Sequence, residues 1–166
     1  MFTSIEEFAN VWKNESASTL KLLVELTDES LKETARPGER PLGLVAWHIV
    51  KSVPEIATRI ELPVEGPVTD APLPATAREI HDAYEKAAAQ LGEMMKAKWT
   101  DEDLKKVDDM YGEQWARGFT LGVLLLHEVH HRGQMTVLMR KAGLPVRGCY
   151  GPAREEWVNY GMPPQE

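Results

Sequence analysis

Apolar residues recur at three- and four-residue intervals through four stretches of the chain, the spacing of helices that bury one face. The first helix is predicted from Thr3 to Ser30, with Thr3 and Glu6 forming a capping box and Ile5, Phe8, Trp12, Thr19, Leu22 and Leu26 on one stripe. Glu15 interrupts that stripe and is placed at the boundary between core and solvent, or inward near a polar centre. A second helix begins near Pro41, whose fixed φ suits a first turn, and runs through "PLGLVAWHIVKSVPEIATRI". Leu44, Val45, His48 and Ser52 share one side of it, Glu55 lies close to the azimuth of His48, and Pro54 is expected to kink it. A third helix starts at Thr76, capped toward Glu79, with Ala77, Ile80, Tyr84, Ala87, Leu91 and Met94 or Met95 inward and His81 at its flank. The fourth, Phe119 to Gly143, stops at a glycine with Pro145 just beyond.

The connections shape the fold class. "LPVEGPVTDAPLPA" is long, rich in proline and non-helical, so it reads as an overhand crossover rather than a tight turn. In "WTDEDLKKVDDMYGEQWARG", Thr100 and Asp103 suit a short capped turn, while Gly112 and Gly118 argue for an irregular or extended connection. The residues after Gly143 hold Tyr150, Trp157 and Tyr160, aromatics that favour docking on the bundle, with Pro152 opening a short helical turn. Long helices without convincing strands predict an all-α four-helix bundle, a single domain over residues 1–166, with the C-terminal segment packed on it.

Composition narrows the functional classes. The chain is 43% hydrophobic and 27% charged, as in ordinary globular domains, and its formal charge of −7 without a basic block disfavours nucleic acid. No run of 18 apolar residues and no basic leader suggest a membrane span or signal peptide, and Cys149 as the one cysteine precludes an intrachain disulfide. A cytoplasmic protein is expected.

The candidate chemistry lies in the histidines. His127 and His131 are four residues apart on one helical face, inside the stripe that includes Thr120, Leu124, Gln134 and Leu138. Such a pair is either hydrogen-bonded core or a metal site. His48, inward in the middle of the second helix, tilts the balance toward metal, because bundle cores build sites from facing helices. Imidazole ligands suit zinc, nickel, copper or iron. His130 projects toward a helix flank. "HEVHH" matches His-Glu-x-x-His through His127, Glu128 and His131, but no edge strand offers itself to hold a peptide, so peptidase chemistry is disfavoured. Glu15 and Glu55 are the nearest candidates for a fourth ligand, each better placed to hydrogen-bond a bound molecule or an imidazole. Gln134 is expected to face inward and fix either a bound ligand or an imidazole. Arg132 is expected to meet a neighbouring helix, the C-terminal segment or a partner chain, and Gly133 to admit another backbone. The tail around Tyr150 and Trp157, with Cys149, is placed at the mouth of the site.

"HEVHHRGQMTVLMRKAGLP", preceded at a distance by "GLVAWHIV", resembles the DinB/YfiT-like family of metal-binding four-helix proteins over nearly the whole chain. The resemblance implies an up-down-down-up bundle, often dimeric. It also implies that His48, His127 and His131 hold a divalent transition metal, zinc or nickel. It further implies a small-molecule substrate, with a low-molecular-weight thiol in transferase or isomerase chemistry in some members. The expectation is a metal-dependent thiol S-transferase or hydrolase acting as a homodimer. The alternative is a non-enzymatic metal-binding structural or interaction protein.

Overall fold

The computed structural model describes residues 1–164; the last two residues of the predicted domain lie outside the described residues. Four helices form the bundle: α1 (Ile5–Leu23), α2 (Leu42–Arg59), α3 (Ala77–Lys98) and α4 (Arg117–Lys141). They follow the up-down-down-up order. α1 packs on α3 and α4, and α2 packs on α3 and α4. The crossover from α2 to α3 runs along the bundle, and Gly66 lies against the Pro54 ring, leaving no room there for a side chain. α2 passes through Pro54, which is buried within it.

Local chemistry explains most of the boundaries. α1 is capped by Ser4 accepting from Glu7 N, not by Thr3, and its first amide, Ile5 N, donates to Asp101 at 2.8 Å. It ends at Leu23 rather than Ser30, because the polar run after Leu26 satisfies itself. Thr27 N donates to Ser30 Oγ at 3.0 Å and Ser30 Oγ donates to the Thr27 carbonyl at 2.8 Å, an alternative to helical pairing. Asp28 then caps α3 from outside through Ala77 N at 2.8 Å. The capping boxes at Thr76–Glu79 and Thr100–Asp103 both form.

The connection before α4, expected to be irregular or extended, holds a two-stranded antiparallel hairpin. β1 (Val107–Met110) pairs with β2 (Glu113–Ala116), Met110 opposite Glu113, around a two-residue turn of Tyr111 and Gly112. Both turn residues have positive φ, 62° and 88°, as the twist-matched hairpin turn demands. Glycine adopts this freely; tyrosine does so at a cost of about 1–2 kcal/mol. The buried Arg117, first residue of α4, anchors the hairpin through two bonds to Asp108, at 2.8 and 3.0 Å. It also reaches Glu61, just past the C-terminal end of α2, at 2.6 Å.

The core is continuous and centred on Phe8, Leu22, Ile49, Ile80, Tyr84, Leu91 and Met135. Leu44, expected inward, is exposed. After α4 the chain crosses α1: Arg147 pairs with Glu25 at 2.7 Å, and a 3-10 turn spans Arg154–Tyr160. This docking is polar rather than aromatic, since Tyr150 and Tyr160 remain largely exposed.

Candidate metal centre

α2 and α4 pack side by side, and their facing residues bring His48, His127 and His131 together. The three imidazoles each offer a nitrogen, all within 4.8 Å of one another. His48 Nε2 lies 3.0 Å from His127 Nε2, and His131 Nε2 lies 3.1 Å from that same atom. Two neighbours thus aim at one nitrogen that has a single lone pair. Neutral imidazoles cannot satisfy that geometry with two good hydrogen bonds, because a ring nitrogen either donates once or accepts along one direction. Ligands at about 2.0–2.1 Å from a tetrahedral ion sit roughly 3.3 Å apart, close to the spacings here. The donor set therefore fits a divalent transition ion.

The supporting side chains prepare these rings. His131 Nδ1 lies 2.8 Å from Gln134 Oε1, an acceptor, so Nδ1 carries the proton and Nε2 keeps its lone pair inward. The Gln134 amide nitrogen sits 3.0 Å from His130 Nε2, which places the exposed His130 outside the cluster. Burial, then the neighbouring histidines, lowers the imidazoles below their ordinary range, His127 to about 4. All three are neutral at pH 7, the form a metal requires.

Two cavities flank the cluster. One, of 270 Å³, borders His48 and His127 under the hairpin, with Glu55 and Tyr111 on its wall. The other is an open groove of 530 Å³ beside His131, Gln134 and Arg40. Glu55 is outside the donor cluster; it accepts from Arg59 Nε at 2.8 Å and from Tyr111 OH at 3.0 Å.

Several neighbouring residues differ from expectation. Glu128 points away from the cluster, between α1 and α3, only 1% exposed. Its Oε1 accepts from Thr19 Oγ1 and Tyr84 OH, both at 2.6 Å, so the glutamate of the His-Glu-x-x-His match cannot serve a base role beside the histidines. Burial pushes its carboxyl upward, against the hydrogen bonds from Thr19 and Tyr84. Arg132 is equally buried and belongs to the same polar seam. It donates to the Glu15 carbonyl at 2.9 Å, to the Glu15 carboxylate, to Thr19 at 3.2 Å and to Tyr150 OH at 2.8 Å. Glu15 is thus committed to Arg132 and Tyr150 and takes no part in the cluster. Cys149 sits on the α1 side near the Ser18 carbonyl, and neither it, Tyr150 nor Trp157 lines either cavity. No backbone approaches Gly133 within the chain, which leaves it on the surface. The hairpin wall was missed in sequence because Tyr-Gly is a weak turn signal beside Asn-Gly.

The bundle thus carries a three-histidine cluster between its second and fourth helices. The chain belongs to the DinB family, whose model matches residues 1–166. It is 42% identical over 162 residues to the "uncharacterized protein YrdA" of Bacillus subtilis (strain 168), covering 98% of this chain and 97% of that one. Its fold is similar to a DinB-like protein from Bacillus cereus ATCC 10987, with a TM-score of 0.87, 45% identity, and coverage of 90% of this chain and 100% of the other. A DinB-like protein of Bacillus subtilis, YjoA, shares the fold alone at a TM-score of 0.66 and 18% identity, over 84% of this chain and 95% of that one. Among the described residues no helix is long and apolar enough to cross a membrane.

Proposed function

We propose that this protein holds one zinc or nickel ion between His48, His127 and His131 and uses it on a small molecule, as a thiol S-transferase or hydrolase. The observation that carries the reading is the convergence of two imidazoles on one nitrogen of His127, Nε2. A divalent ion there supplies Lewis acidity toward a thiol or a water molecule. The chain's own part is positional. Gln134 fixes the His131 tautomer, α2 and α4 hold the rings at fixed separation, and the hairpin shields the cavity beside His48 and His127. Three protein donors leave a position for an outside ligand on a four-coordinate ion, and that cavity borders two of them. The open position favours an enzyme over the alternative, a metal that merely ties α2 to α4.

The reading includes a homodimer through α4. Phe119, Leu126 and Val137 are apolar and exposed on that helix, and Gly133 lies on its surface. A stripe of this kind along the longest helix suits a second copy of the chain.

The test is metal analysis of untagged protein, followed by replacement with cobalt and titration with small thiols and simple anions. One ion per chain and a thiol-dependent change in the cobalt spectrum are expected. Protein that takes up no metal overturns the site. Metal that no thiol or anion perturbs at millimolar concentration overturns the enzymatic reading in favour of the structural one.

A further inference from the structure

The cavity beneath the hairpin has a polarity that selects its occupant. Its volume is 270 Å³, and an apolar cavity of about 150 Å³ already accepts benzene. Ile56, Met110, Trp115 and Val123 supply apolar walls. The hydroxyls and the indole lining it have their protons engaged elsewhere. Ser52 Oγ donates to the His48 carbonyl at 2.8 Å, and Thr120 Oγ1 to the Ala116 carbonyl at 3.4 Å. Tyr111 OH donates to Glu55, and the Trp115 indole donates to Glu113 at 2.7 Å. The free nitrogen of His127, Nδ1, is buried away from solvent. Apart from the imidazoles, what remains is acceptor capacity: hydroxyl lone pairs and, above all, Glu55 Oε2, whose one partner among the described residues is Tyr111 OH at 3.0 Å.

The hairpin tip is built around that carboxylate. Tyr111 holds a left-handed backbone conformation that glycine would take more readily, and its phenol reaches Glu55. Arg59 stacks on the Tyr111 ring at 4.4 Å and bonds Glu55 through Nε, so one cation and one phenol fix the carboxylate at the cavity wall. A residue that strains a turn and yet completes a hydrogen-bonded cluster at a cavity marks a functional position.

We propose that this cavity is a subsite for a compact apolar group bearing a hydrogen-bond donor, a primary amine or an amide, received by Glu55 and excluding carboxylates. The assignment rests on the metal reading for the chemistry beside it, though binding to the cavity needs no metal. A carboxylate entering here would meet Glu55 and find no free hydroxyl or indole proton among the lining side chains. An amine or amide finds an acceptor and aromatic walls.

The experiment is proton–nitrogen NMR of the Trp115 indole and the Gly112 amide during titration with benzylamine and, separately, benzoate, using metal-free and zinc-loaded protein. Benzylamine is expected to shift both resonances in the metal-free protein, and benzoate to leave them unmoved. Glu55→Gln should weaken benzylamine at least tenfold, and Val123→Phe, which fills the cavity, should abolish its effect while the remaining spectrum keeps its dispersion. Benzoate binding as well as benzylamine by the metal-free protein, or a folded Glu55→Gln variant with undiminished binding, overturns the proposal. Benzylamine binding by protein that takes up no zinc would sink the metal reading and leave this one standing. Zinc uptake without any benzylamine response would do the reverse.

Discussion

Arg132 on α4 and Glu15 on α1 form an ion pair between residues 117 apart in sequence, with side chains only 3% and 12% exposed. Arg132 also takes the Glu15 carbonyl and the Tyr150 hydroxyl, so one guanidinium joins two helices and the C-terminal segment. Removing one partner strands the other. Arg132→Met is predicted to cost about 3–5 kcal/mol, the range for breaking a buried pair from one side. Urea unfolding of the metal-free protein measures it, and a loss below about 1 kcal/mol would make the pair dispensable.

Gln134→Leu removes the acceptor from His131 Nδ1 and frees the ring to take the wrong tautomer. Zinc affinity, read by competition with a chromogenic chelator, is predicted to fall about 10–100-fold. His130→Ala should change it much less, and His131→Ala much more. Equal losses in all three variants would mean that the ligand set is wrong.

The pH dependence of the metal-free protein follows from the lowered imidazoles. The fold keeps His127 neutral down to about 4, whereas in the unfolded chain an imidazole takes up its proton near 6.5. Between those values the unfolded state binds more protons, so the histidines' contribution is complete above about 6.5 and is lost as pH falls toward 4. His48 and His131 are shifted in the same direction. Denaturation midpoints across that window should decline with acid, and a His127→Asn variant should show a shallower decline. An unchanged slope would assign the acid sensitivity elsewhere.

Tyr84→Phe deletes one of the two hydroxyls that solvate Glu128 Oε1. With Oε2 already buried and without a partner among the described residues, the carboxyl depends on Thr19 and Tyr84. The loss is predicted at about 1–3 kcal/mol. Pairing it with Glu128→Leu in a double-mutant cycle should show strong non-additivity; additive effects would separate the two residues.

Leu126→Lys places a charge in the middle of the exposed stripe on α4. Sedimentation at micromolar concentration should find the parent chain dimeric and the variant monomeric, with helicity unchanged. A monomeric parent would remove the dimer from the proposed function.

The bundle was legible because its four stripes are regular, and capping pairs such as Thr76–Glu79 mark a true start. The histidines were legible because four-residue spacing fixes a shared face on α4, and His48 is inward in the middle of α2, which packs against it. What escaped depended on partners distant in sequence. Glu128 completes a His-Glu-x-x-His match whose peptidase chemistry the sequence disfavours, and helical rotation turns it toward Tyr84 and Thr19, contacts that no local pattern encodes. The hairpin escaped because its turn is closed by a tyrosine in a glycine-like conformation, held there by Glu55 more than fifty residues earlier in the chain. The end of α1 was overrun because Thr27 and Ser30 close a turn upon themselves, where a stripe ending at Leu26 suggested continuation.

The buried polar seam on α4 has a consequence for how the bundle chooses one arrangement among near neighbours. α4 presents leucine, valine or phenylalanine on more than one side: Leu121 and Leu124 face inward while Phe119, Leu126 and Val137 face out. Greasiness alone would let such a helix roll about its axis with little change in buried area. Glu128 and Arg132 act as the teeth of a key. Rolled by one position, both would leave Thr19, Tyr84 and Glu15 and enter apolar surroundings without partners, at a cost of several kcal/mol. The same setting that seats those teeth against α1 and α3 points His127 and His131 at α2, so the aim of the histidines is fixed from the neighbouring face of their own helix.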